Sequence, residues 1–312
     1  MAEESRVAVV AAFAGNAGLA VLKGIAAAFT GSAAMLAETF HSIADTGNQA
    51  LLFLGMRLAK RPPDARHPFG HGRDVYFWAF VVAVMLFTVG GAFSIWEGTR
   101  RLLHPVEQDA SAWAFAVLAG GFVFEAGSFA VAFRSLTKVR AGRPLVEYWR
   151  DSRDPTLVTV LLEDTAALVS LGLATAGLVL SRTTGQSFWD AAASLTIGAV
   201  LLVVAGILAL ENYSLLLGEA APPRLQREVR RVVGADEAVA AVRALRTMAL
   251  GPREFLVALE VVFARDLDAV EIEAAVRRLE GAIIAAFHGE TRRALVVIEP
   301  ASPEREAARR TA

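Results

Sequence analysis

The chain has 312 residues, 55% of them hydrophobic, and a mean hydropathy of +0.46, which excludes an ordinary soluble domain and a disordered chain. A formal net charge of −1 provides no global basic field, so no nucleic-acid partner is expected. Cysteine is absent, which excludes disulfides, thiolate metal sites and cysteine nucleophiles.

The N-terminal Met-Ala-Glu-Glu-Ser-Arg is acidic and lacks a basic n-region, so the first apolar run is expected to persist as a membrane span. A spanning helix needs about 20 mostly apolar residues. Six stretches have that character: 7–29, 33–54, 75–96, 112–133, 156–180 and 188–210. The first two are joined by the tight turn Thr30-Gly31-Ser32. Basic residues orient the spans. Arg57, Lys60, Arg61, Arg66, Arg73, Arg134, Lys138, Arg140, Arg143, Arg150 and Arg153 fall on one side, against Arg100, Arg101 and Arg182 on the other. The positive-inside rule then puts both termini in the cytoplasm. Trp96, Trp113 and Trp189 read as interfacial anchors. Gly90-Gly91, Gly120-Gly121 and Gly172-x-x-x-Ala176 fit close helix packing.

After Gly218 the composition changes and Pro222-Pro223 breaks the chain. A short amphipathic helix is expected at 225–233, then strands at 242–250 and 254–264 around a Gly251-Pro252 turn. Asp268 is placed to cap a helix running to Phe287, and 294–298 is a last strand. The fold class is therefore an all-α six-helix transmembrane bundle followed by a small cytoplasmic α+β domain in the order α-β-β-α-β. Its divisions are 1–218 for the membrane domain, 219–300 for the cytoplasmic domain and 301–312 for a disordered tail.

Ionisable groups at mid-bilayer cost about 2.5–3.5 kcal/mol each on insertion scales, so those retained invite a functional reading. His41 and Asp45 are four apart and share one helix face; Glu38 lies three residues before His41 on the same stripe. Imidazole and carboxylate at that spacing can hold one metal ion, although they can equally form hydrogen bonds between helices. Glu163 and Asp164 are adjacent and point about 100° apart. Asp164 is the expected ligand, with Glu163 accessory or proton-handling. Asp64, His67, His71 and Asp74 share one loop, which reads either as a second metal site or as a solvated loop docked on its neighbours. Asn16 and Glu125 fit bundle packing as well as function, and Asp190 faces interfacial water or caps a helix. His and carboxylates inside spans point to a membrane transporter for a divalent transition-metal ion. Three rivals stand beside it. One is a proton-coupled organic-cation transporter, which would need an aromatic cavity. Another is a non-transporting, metal-responsive scaffold or sensor. The last is an intramembrane hydrolase, for which no HExxH signature is present.

Taken together, the six spans, His41-x-x-x-Asp45, the loop His67-Pro-Phe-Gly-His71-Gly and the α-β-β-α-β tail resemble the cation diffusion facilitator family over about residues 7–300. Leu-Leu-Glu163-Asp164-Thr-Ala-Ala and Leu-Leu-Leu-Gly218-Glu-Ala are most similar to its ZnT-nine-like branch. The resemblance implies a homodimer with a ferredoxin-like C-terminal domain. It implies export of Zn²⁺ or a similar ion in exchange for protons by alternating access, with no organic cofactor and no enzymatic activity. It also implies a transport site built from two residues four apart in span two and two more in span five. The first pair maps onto His41 and Asp45, the second onto Val160 and Asp164. Valine offers no donor, so Glu163 or Glu38 is expected to supply the missing ligand. One imidazole among carboxylates is a harder donor set, which admits Mn²⁺, Fe²⁺ or Co²⁺ beside Zn²⁺. In the loop, Asp64, His67 and His71 match the family's second site. The C-terminal domain has His288 alone, so it is expected to dimerise by packing without a dense metal cluster. A bacterial plasma membrane is the expected location.

Overall fold

A computed structural model of the chain describes residues 2–105, 112–140, 142–287 and 293–301. Of the sequence expectations, His288 and the tail at 302–312 lie outside these residues. The chain divides into two compact units. The first comprises the described residues of Met1–Arg57, Val75–Pro144 and Pro155–Tyr213; the second, those of Leu58–Asp74, Leu145–Asp154 and Ser214–Ala312.

The helical unit is built from α1 (Ala2–Thr30), α2 (Ala33–Leu58), α3 (Asp74–Met85), α4 (Phe93–Leu103), α5 (Ala112–Val139), α7 (Pro155–Thr184) and α8 (Phe188–Leu217). A π-helical stretch, Leu86–Ala92, joins α3 to α4. Helices thus cover all six expected stretches. Among the described residues, four are long and apolar enough to cross a membrane: Asp74–Leu103, Trp113–Lys138, Pro155–Thr184 and Phe188–Leu217. The apolar part of α1 described with side chains, Asn16–Thr30, is shorter. In α2, Glu38, His41, Asp45, Asn48 and Gln49 dilute the apolar character.

Small residues set how closely these helices approach. A Cβ on Gly91 would lie 2.6 Å from Leu202, one on Gly98 2.9 Å from Leu195, and one on Gly198 2.6 Å from Ile95. The Asp74–Leu103 helix and α8 therefore pack backbone to backbone, the arrangement that stabilises helix pairs where lipid provides no hydrophobic drive. Gly172 departs from expectation, with nothing within 4 Å of an added Cβ; Gly177 makes the contact instead, 2.5 Å from Ala193 Cβ. Residues five apart on a helix point about 140° from each other, and it is the face carrying Gly177 that meets α8. The core gathers Met35, Leu86, Leu118, Leu171, Leu178, Ile197 and Leu201. Asp190 settles as a cap, for α2 and not for its own helix. Its carboxylate accepts from Ser32 Oγ, from Ala33 N at 2.5 Å and from Ala34 N at 3.3 Å, satisfying N–H groups that a buried helix start would otherwise leave bare.

In the second unit α6 (Leu145–Asp151) precedes α9 (Pro223–Gly234), β1 (Val239–Gly251), β2 (Glu254–Phe263), α10 (Ala269–Ala286) and β3 (Arg293–Pro300). The α-β-β-α-β order after Gly218 is the expected one. Sheet order is β1-β2-β3. β1 runs antiparallel to β2 through a tight turn at Pro252-Arg253, and Arg253 takes φ 65°. β2 runs parallel to β3, which requires a crossover, and α10 provides it. Phe255, Val257, Leu259 and Val261 alternate along β2 and face inward with Leu225, Val229 and Val233 of α9 and Leu279, Ile283 and Phe287. Asp268 caps α10 through a capping box with Glu271, as its position predicted.

Candidate metal centre

His41 is fully buried on α2, and its Nε2 lies 3.4 Å from Asp45 Oδ2 one turn on. Neither ring nitrogen of His41 has a hydrogen-bond partner, and the same holds for Asp45 Oδ1, Glu38 Oε1 and Asn48 Oδ1. Buried polar atoms are almost always paired, and each one left bare costs about 1–3 kcal/mol. Several on one helix stripe leave that stripe with unused donor and acceptor capacity. An imidazole and carboxylates form a donor set suited to a divalent transition-metal ion.

From α7, the two adjacent acids go to different neighbours, as their 100° offset requires. Glu163 Oε1 accepts from Asn48 Nδ2 of α2 at 2.8 Å. Asp164 Oδ2 accepts from Ser128 Oγ of α5 at 3.0 Å. Val160, one turn before Asp164, packs with Leu51, Leu52, Ala79 and Val82 in a small apolar cluster. Its place in the helix is thus used for packing between α7, α2 and α3.

Glu38 is not bare: Lys23 of α1 donates to its Oε2 at 2.9 Å and to Ser42 Oγ at 2.7 Å. Lysine is not a metal-ligand residue type, and the two partners are on separate helices, so neither composition nor spacing couples them. Charge balance is the signal in the sequence that points to it, because a lysine inside an apolar run needs an anion. Glu125 on α5 is also buried.

In the second unit, Asp64, His67 and His71 each offer one donor atom, all within 4.8 Å of one another. Among the described residues no other three such side chains converge to that distance; His41, Asp45, Glu163 and Asp164 do not. Asp64 organises the cluster. Its Oδ1 accepts from the backbone N–H of His67 at 2.7 Å and of Arg66 at 2.8 Å, and its Oδ2 lies 3.1 Å from His71 Nε2. The His67 N–H and the His71 ring, with further help from Arg66, hold the Asp64 carboxyl well below the usual carboxylate range. The far side of the His71 ring faces Asp74, with Nδ1 to Oδ2 at 3.7 Å. Gly72 anchors the loop: a Cβ there would sit 2.5 Å from the Leu250 carbonyl oxygen of the β1–β2 hairpin.

A model of the cation efflux transmembrane domain matches residues 9–217. The chain is 34% identical over 225 residues to the mitochondrial proton-coupled zinc antiporter SLC30A9 of Mus musculus, covering 72% of this chain and 40% of that protein. It is 34% identical over 237 residues to the SLC30A9 antiporter of Xenopus laevis, covering 75% and 42%. Metal tolerance protein C4 of Arabidopsis thaliana is 34% identical over 232 residues, covering 73% and 50%. The chain spans between two fifths and one half of the length of these relatives.

Proposed function

The chain belongs to the cation efflux family, in its ZnT-nine-like branch, and we propose that it is a secondary transporter that moves a divalent transition-metal cation across a membrane in exchange for protons. The observation that carries the proposal is the set of unpartnered buried donors on α2, His41 Nδ1 and Nε2 with Asp45 Oδ1. In this reading His41, Asp45 and Asp164 hold the ion, Glu163 and Glu38 flank it, and Zn²⁺ is the first candidate, as the names of the antiporters similar to it suggest. Mn²⁺, Fe²⁺ and Co²⁺ follow from the hardness of the donor set. Ligands must be deprotonated to bind, so ion entry releases protons and proton entry from the other side releases the ion. That linkage is the antiport.

Asp64, His67 and His71 form a second, accessible ion site in the proposal, with Asp74 orienting His71 from behind. The proposal also takes a six-span membrane domain at 1–218, a ferredoxin-like cytoplasmic domain at 219–300, cytoplasmic termini, a homodimer and no role as an enzyme. It keeps the bacterial inner membrane as location, although the SLC30A9 relatives are mitochondrial by name.

The test is ion flux into proteoliposomes under a pH gradient, with Zn²⁺, Mn²⁺, Fe²⁺, Co²⁺ and Cd²⁺ compared. Gradient-driven flux of one or two ions, lost in Asp45→Asn, supports the proposal. A second reading has its own observation. Val160 lies in an apolar cluster where the family pattern has a ligand. Binding without flux of any ion favours a metal-responsive scaffold.

A further inference from the structure

We propose that Lys23 is a built-in cation that keeps Glu38 out of the ion's coordination shell, so that the site releases its divalent ion instead of trapping it. This rests on the reading that the ion passes His41 and Asp45.

Lys23 is fully buried in α1. Its ammonium bridges Glu38 Oε2 and Ser42 Oγ, at 2.9 and 2.7 Å. Those two partners are four residues apart, one turn of α2, and His41 lies between them in sequence. The same stripe reaches Asp45 a turn later. A lysine from a different helix therefore grips the ligand-bearing stripe at its start. The grip is tight along the stem as well as at the tip. A Cβ on Gly121 of α5 would lie 3.3 Å from Lys23 Cε, and one on Gly24 would lie 3.3 Å from Thr39 of α2. Three helices thus fix the path of the side chain and aim its charge.

Glu38 has the makings of a ligand. It is fully buried, three residues from His41 on one face, and its Oε1 has no partner. Neither Lys23 nor Glu38 is tolerable as a lone charge in this setting, so the two stay together. Lys23 holds Oε2 and balances the Glu38 charge, so the remaining oxygen, Oε1, belongs to a carboxylate already neutralised and competes weakly for an ion beside His41. Without the ammonium, the nearest cation able to neutralise Glu38 is the transported one. A third carboxylate then joins the shell, and the ion binds more tightly and leaves more slowly. Lys23 is in this sense a positioning residue, acting through Glu38.

The experiment uses the full chain with the loop site silenced by Asp64→Ala and His67→Ala. Zn²⁺ and then Mn²⁺ affinity is read by chelator competition, and turnover in proteoliposomes. Lys23→Met is expected to tighten binding by about tenfold or more and to slow turnover by at least as much, since one carboxylate ligand changes affinity on that scale. Lys23→Met with Glu38→Gln is expected to return affinity to within about threefold of the parent. Lys23→Arg is expected to stay near the parent. A part that is only structural would weaken binding in Lys23→Met, and that result overturns the proposal, as does unchanged affinity. Should Lys23→Met alone fail to yield monodisperse protein, the double variant decides: recovery with parental affinity supports the pairing, and loss in the double overturns it. A parent that binds and moves neither ion overturns the transport reading, and this inference with it; a parent that works while Lys23→Met does not tighten overturns the inference alone.

Discussion

Asp45→Asn keeps the size of the side chain and removes its negative charge, so it tests charge and not shape. Ion affinity at the membrane site is expected to fall about 10–100-fold, with flux lost in step, while the protein stays monodisperse in detergent. Chelator competition and vesicle flux check both halves. In the loop the expectation concerns protons. Asp64 is held ionised by its hydrogen bonds. A depressed carboxyl contributes its stabilisation fully above about pH 3.9 and loses it only as acid passes below that range. Between about pH 7 and pH 5 Asp64 therefore takes up no proton, and Asp64→Asn is expected to leave the number of protons exchanged per Zn²⁺ at the proposed loop site unchanged. Calorimetry of a His41→Ala variant in buffers of different ionisation heat measures that number. The α2 stripe of Glu38, His41 and Asp45 was legible at this scale, because a three- or four-residue spacing in an apolar run fixes one helix face. Lys23 was not: its meaning depends on Glu38, fifteen residues away on another helix.

The helices, the hairpin turn and the capping box were readable element by element, since each depends on local chemistry that the chain displays in order. Asp268 accepts from Val270 N at 2.9 Å and from Glu271 N at 2.8 Å, and Asp268 N donates to Glu271 in return. Asp268→Ala is expected to cost about 1 kcal/mol, and hydrogen exchange in the first turn of α10 to rise accordingly. What the chain did not display was set by neighbours. β1 starts at Val239, three residues before the expected 242; its 13 residues face only 10 in β2, and the register shifts three times to absorb the surplus. Similarly, α6 is a seven-residue helix with no apolar run to announce it.

For the whole molecule, membrane topology sets the frame, and a chain without cysteine is suited to probing it. Lys60→Cys, in the loop after α2, and Gln186→Cys, between α7 and α8, are both exposed positions. With six spans and cytoplasmic termini, an impermeant maleimide added to intact cells is expected to label position 186 and spare position 60. The reverse pattern would sink the orientation, and labelling of both or of neither would sink the span count. Sequence indicated this frame through its basic loops and apolar runs. Among the described residues four helices are long and apolar enough to cross a membrane, while the polar residues of α2 make it inconspicuous by that measure.

The π-helical stretch Leu86–Ala92 works as a vernier within the Asp74–Leu103 helix. A widened turn amounts to an inserted residue, which rotates everything downstream by about 100° relative to an unbroken α-helix. That rotation points Ser94 and Gly98 toward α8, where Ser194 Oγ donates to the Ser94 carbonyl at 2.9 Å. Deleting Thr88 would take out the slip, swing Gly98 off its seat and set a bulkier flank in its place. The two halves of one span are thus aligned to two different sets of neighbours, and a single residue's worth of length keeps both in phase.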